Sequence, residues 1–241
     1  MILSLIAGVA GTGLGGILGI LLGSKSRKLT SLLFNLASGV MLGVVFFELI
    51  PEALATASMY VVALGIALGI LFVFFIGSEV DKKLDVGKIG GKGRNMLKIG
   101  IVIFFSITLH NLPEGLVIGS STLISHGLVT TILIALHNVP EGMAMALPLM
   151  NGGYGKAKSV LLCFLAGVPT VIGAFVGYGL GTVSPIWISL CLAIAAGAMM
   201  CIVFSEMIPE AHEISGENYK LGTIFLIGGA IMALFMGEFL S

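Results

Sequence analysis

Apolar residues run in blocks of about twenty along almost the whole chain, separated by short polar joints. A helix needs about 20 such residues to cross the hydrocarbon core of a bilayer. The blocks predict helices over roughly 2–22, 31–51, 57–79, 97–119, 126–148, 159–181, 186–209 and 220–240. Only one joint is long and polar, from Asp81 to Lys98. The weakest joint is Pro51, Glu52 and the residues up to Ser58; if it were helical throughout, the count would be seven. The first block lacks a preceding basic residue and is too long for a signal-peptide core, so it reads as a span. Its Gly11, Gly13, Gly15 and Gly16 suit close helix packing.

The basic residues support the count of eight. Lys25, Arg27 and Lys28 follow span one, and Lys82, Lys83, Lys88, Lys92, Arg94 and Lys98 follow span three. Lys156 and Lys158 follow span five, and Lys220 follows span seven. With eight spans, all 12 basic residues lie on one side; with seven they would be split. Cytoplasmic loops carry the excess of Lys and Arg. The expectation is a plasma-membrane protein with both termini outside and the 81–98 loop in the cytoplasm. That loop contains no His or Cys and reads as a solvated loop rather than a metal sensor.

The pattern also repeats. Residues 37–53 read ASGVMLGVVFFELIPEA, and residues 195–211 read AAGAMMCIVFSEMIPEA. Ala7-Gly8-Val9 echoes Ala166-Gly167-Val168 more weakly. Spans one to three thus resemble spans six to eight. The offset of five spans is odd, so the copies cross the bilayer in opposite directions. The predicted fold is an all-α integral membrane bundle in a 3+2+3 arrangement, one domain over residues 1–241. Inverted repeats about a central helix pair mark transporters.

Composition agrees with a lipid-facing exterior. The chain is 57% hydrophobic and 10% charged, which a water-facing surface would not tolerate. A net charge of zero argues against nucleic acid as a partner. Cys163, Cys191 and Cys201 lie in apolar runs without metal-binding spacing and read as small buried residues.

Against this background two polar motifs stand out. Span four contains His110-Asn111-Leu112-Pro113-Glu114-Gly115, and span five contains His137-Asn138-Val139-Pro140-Glu141-Gly142. Ionisable residues at membrane depth are costly and mark function. His and Glu four apart share a helical face, so each helix offers an imidazole and a carboxylate to one point. Asn adds a neutral oxygen about 100° around the helix. Each proline removes a backbone hydrogen bond, freeing the carbonyls of Leu109 and Leu136. Two His and two Glu in one cavity form an N/O site suited to Zn²⁺, Fe²⁺ or Mn²⁺. A packing contact or proton relay is the bland reading of one copy; two matched copies argue against it.

The acidic pairs Glu48/Glu52 and Glu206/Glu210 allow two readings. They are either vestibules that attract cations, with His212 and Glu213 joining the inner one, or interfacial charges at helix ends. His126 reads as a loop residue, and Met199 and Met200 as packing.

The chain resembles the ZIP family of metal-ion transporters over its whole length, through its eight spans, inverted arrangement and paired H-N-x-P-E-G motifs. The form is similar to the bacterial and GufA-like branch. The resemblance implies His110, Asn111, Glu114, His137, Asn138 and Glu141 as metal ligands, with Met41 bordering the primary site. Thr170 aligns where relatives often carry a Glu that completes a second site, so one principal ion is expected. The resemblance also implies a homodimer that moves metal into the cytoplasm. No catalytic cofactor is expected, and Zn²⁺ is the expected cargo, with Fe²⁺, Mn²⁺ and Cd²⁺ as alternatives. An intramembrane metal-dependent hydrolase is the rival from another class, though the chain has no H-E-x-x-H. A proton-conducting bundle that binds no metal is the second.

Overall fold

The computed structural model describes residues 2–23, 27–84, 92–121, 127–179, 184–215 and 219–240. All regular secondary structure among these residues is helical. Helix α1, residues 2–23, comprises Ile2–Ser4, a π-helical stretch Leu5–Ala10, and Gly11–Gly23. Helix α2, residues 27–56, comprises Arg27–Val44, a π-helical stretch Val45–Leu49, and Ile50–Thr56. Helices α3 (Met59–Leu84), α4 (Lys92–Ser121) and α5 (Gly127–Asn151) follow. Helix α6 is split at Gly167 into Lys156–Ala166 and Val168–Gly179. Helix α7, residues 185–215, comprises Pro185–Ile202, a π-helical stretch Val203–Met207, and Ile208–Ser215. Helix α8 is Tyr219–Leu240.

Among the described residues, six stretches are long and apolar enough to cross a membrane: Leu5–Leu22, Lys28–Thr56, Met59–Val80, Asn95–Leu116, Lys156–Tyr178 and Pro185–Ser215. Lys220–Met236 is a shorter apolar helix. The outward face of α3 carries Tyr60, Leu64, Leu71, Phe74 and Phe75, all exposed. Such a face requires lipid or protein rather than water.

The break between α2 and α3 falls at Ala57, whose backbone is extended at φ −145° and ψ 168°. Pro51 does not end the helix. Instead the turn before it widens into the π-helical stretch, and Pro209 follows Val203–Met207 in the same way. Proline cannot donate to the carbonyl four residues back, and a π turn re-spaces the ladder around that loss.

The polar joint is shorter than hydropathy suggests. α3 continues to Leu84 and α4 begins at Lys92, so most of 81–98 is helical. Charged residues end a hydropathy window, but Lys, Arg and Glu are good helix formers. Lys82 Nζ lies 2.6 Å from Glu79 Oε1 one turn away. Residues 85–91, and His126 with its expected loop, lie outside the described residues.

The helices pack in matched pairs. α2 lies along α8 and α3 along α7, while α1 lies along α5 and α6 along α4. Exchanging α1 with α6, α2 with α7, α3 with α8 and α4 with α5 reproduces the same pairing. The main apolar core gathers residues such as Phe34, Met41, Ile103, Met145, Leu192 and Met199 from α2, α4, α5 and α7. Cys163 is buried, its Sγ 3.2 Å from the Ser159 carbonyl, whereas Cys191 and Cys201 are only partly buried.

Candidate metal centre

Both H-N-x-P-E-G motifs lie within continuous helix, with Pro113 inside α4 and Pro140 inside α5. The glycines that end the motifs let α1 and α6 approach. A Cβ on Gly142 would strike the Thr12 carbonyl of α1, and one on Gly115 would strike the Thr170 carbonyl of α6. These contacts press the central helices between their neighbours and leave the four chemical side chains enclosed.

The enclosed group converges on one carboxylate. Glu114 Oε1 lies 2.6 Å from His110 Nε2 and 2.5 Å from His137 Nε2. Glu141 Oε1 lies 3.5 Å from His110 Nε2. The imidazole centroids are 6.1 Å apart. His110, Glu114, His137 and Glu141 are at most 4% exposed. One ligand atom from each of His110, Glu114 and His137 can be chosen so that all lie within 4.8 Å of one another.

Several polar atoms here have no hydrogen-bond partner: Glu114 Oε2, both Glu141 oxygens, Asn111 Oδ1, Asn138 Oδ1 and the Nδ1 atoms of both histidines. Leaving a buried polar atom unpaired costs about 1–3 kcal/mol. A concentration of oxygen and imidazole nitrogen with unspent lone pairs fits a divalent cation. Two ionised carboxylates would neutralise its charge and offset desolvation.

The asparagines divide their amide groups. Asn111 Nδ2 donates to the Ala166 carbonyl at 2.7 Å, and Asn138 Nδ2 donates to the Ala7 carbonyl at 3.0 Å. Ala7 lies in the π-helical stretch of α1, and Ala166 is the last residue before the split in α6. Both carbonyls thus sit at departures from regular α-helix, and each accepts from an amide of the central pair. Sequence spacing placed the Asn oxygens but gave no sign of these donors. The only hint was the Ala-Gly-Val echo.

Other candidates distribute unevenly. Glu48 is partly buried and close enough for its charge to act on His137, Glu114 and His110. Glu52 is exposed and interacts electrostatically with Glu48. Met41 is 1% exposed in the main core. Thr170 is buried against Gly8, its Oγ1 unpartnered. Glu206, Glu210 and His212 are not gathered into the central group. Glu210 instead lines a separate cavity of about 290 Å³ with Glu213, Thr30, Asn95, Met96 and Asn151. His212 is exposed.

Comparison with known proteins settles the family. The model of the ZIP zinc transporter family matches residues 77–236, which include both motifs. The chain belongs to the ZIP family. It is 33% identical to zinc transporter ZupT of Chlorobium luteolum, with 97% of this chain and 95% of that relative aligned. Identity to zinc transporter ZupT of Corynebacterium aurimucosum is 29%, covering 99% of this chain and 96% of the relative. For zinc transporter ZupT of Escherichia coli it is 29%, covering 90% and 88%. The match to this ZIP chain therefore spans α1 and α8 as well as the motif helices.

Proposed function

We propose that this ZIP protein carries Zn²⁺ across a membrane through the site formed by His110, Glu114, His137 and Glu141. The observation that carries the reading is the meeting of two histidines from two helices at Glu114, fully enclosed among unspent ligand atoms. Asn111 and Asn138 complete the ligand set through Oδ1. The relatives are named zinc transporters, and this makes zinc the first choice over Fe²⁺, Mn²⁺ or Cd²⁺. No feature of the site or the relatives favours the hydrolase alternative.

The finer architecture follows the same reading. Residues 1–241 form one transmembrane domain with eight crossings in a 3+2+3 inverted arrangement, and the matched helix pairing supports it. Both termini lie outside, the basic end faces the cytoplasm, and the protein works in the plasma membrane as a homodimer. An ion enters past Glu48 and Glu52, sheds water at the central site, and leaves through the cavity bearing Glu210 and Glu213, close to Glu206 and His212. Met41 borders the route, and Thr170 makes any second ion position the weaker one.

The test is zinc uptake into proteoliposomes, comparing the native protein with His110→Ala/His137→Ala. Saturable uptake that vanishes in the double variant supports the reading. Uptake that persists places the route elsewhere.

A further inference from the structure

A hydroxyl buried in a helix ordinarily bonds the carbonyl one turn back. Ser38 donates to Phe34, Thr108 to Phe104, Ser159 to Gly155 and Thr12 to Gly8 in this way. Ser31 and Ser189 instead cross to the Ala211 and Ala53 carbonyls. Ser106 does neither. Its residue is 2% exposed, and its Oγ has no hydrogen-bond partner.

Its position gives this a use. Ser106, His110 and Glu114 are spaced four apart on α4, so they form successive rungs on one face. Side chains on a helix lean toward its N-terminus, and the N-terminal end of α4 supplies Asn95 and Met96 to the cavity with Glu210 and Glu213. Ser106 lies about 6 Å along the axis from His110 on that side, with about 15 Å remaining to Met96. Ile99, Val102 and Ile103, which fill the intervening turns, are buried and apolar. The matching position on α5, four before His137, is Leu133. The hydroxyl thus breaks the motif symmetry, on the cavity side alone.

We propose that Ser106 is a transit ligand, whose hydroxyl oxygen receives the divalent ion as it steps from His110 toward the cavity. This rests on the transport reading above. A neutral oxygen is a weak ligand for a dehydrated dication, which suits a position the ion must leave.

The test uses the full chain in detergent and in proteoliposomes, with Zn²⁺ and Cd²⁺ as probes. Ser106→Ala should leave equilibrium Zn²⁺ affinity within about twofold of native and slow saturated uptake about tenfold. Ser106→Cys should add a thiolate-to-cadmium absorption band absent from the native protein, whose own three cysteines give the reference spectrum, and should arrest Cd²⁺ uptake. The thiol variant keeps the test open should the alanine variant fold poorly. A native uptake rate in Ser106→Ala overturns the proposal, and so does the absence of a new band in Ser106→Cys. A Ser106→Ala affinity weakened as much as the rate also overturns it, since that would make Ser106 a support for His110. A native protein that neither binds nor moves zinc would bring down the transport reading itself, and Ser106 with it.

Discussion

Asn111 and Asn138 make the same hydrogen bond on opposite sides of the central helix pair, one to Ala166 of α6 and the other to Ala7 of α1. The two alanines occupy corresponding places in the repeated Ala-Gly-Val segments. Each amide nitrogen holds a neighbouring helix while its oxygen stays free. Each motif amide is thereby tied mechanically to the backbone of the helix beside it.

Removing either amide should deprive a buried carbonyl of a hydrogen bond. Asn111→Ala and Asn138→Ala are each expected to lower the stability of the metal-free protein by about 1–3 kcal/mol. Thermal unfolding in detergent without added metal reads this directly. Unchanged melting in both variants would mean that the two bonds contribute nothing.

Glu114 and Glu141 occupy identical motif positions but not identical surroundings. Glu114 touches both imidazoles, whereas Glu141 approaches only His110, at 3.5 Å. Glu114→Ala should therefore weaken Zn²⁺ binding more than Glu141→Ala. Even outer-shell changes cost about 10–100-fold in metal affinity, and loss of the carboxylate that touches both imidazoles should reach at least that range. Competition titration against a chelator would rank the two; equal losses would contradict the asymmetry.

Acid should weaken zinc binding. The ion needs neutral imidazoles and ionised carboxylates, so protons compete for the same atoms. Falling pH adds protons to the free site and not to the loaded one, and affinity drops accordingly. Lowering pH from about 7.5 to about 5.5 should reduce affinity progressively, because the ion must displace protons held by the site. In weak buffer, binding in the lower part of that range should release protons. Binding indifferent to pH would exclude the histidines as ligands.

The close approach at the motif glycines predicts a steric contrast. Gly142→Ala would press a methyl into the Thr12 carbonyl, and Gly115→Ala would press one into the Thr170 carbonyl. Each should cost about 1–3 kcal/mol by overpacking. Gly77→Ala is the control, since nothing lies within 4 Å of the added atom; it should be neutral or stabilising by up to about 1 kcal/mol. Melting temperatures of the three variants would check the order.

Much of this protein is legible in its sequence. Apolar block length and helix rise dictate membrane-scale helices, and the four-residue spacing of His and Glu puts each pair on one face. The two I-P-E segments announced equivalent places, and both proved to follow a π-helical stretch. Local chemistry governs such features, so they can be read along the chain.

Only the tertiary structure decided how the two halves of the motif pair combine. By sequence, each His has its own Glu four residues on; in space, His137 lies against Glu114 of the other helix. The Asn donors, the unpaired Ser106 hydroxyl and the cavity at Glu210 also depend on which helices meet. The helix boundaries at Leu84 and Lys92 escaped hydropathy because backbone hydrogen bonding continues past the last apolar side chain. Periodicity fixes which face a residue occupies, but the angle and depth at which two helices pack determine whose atoms it reaches.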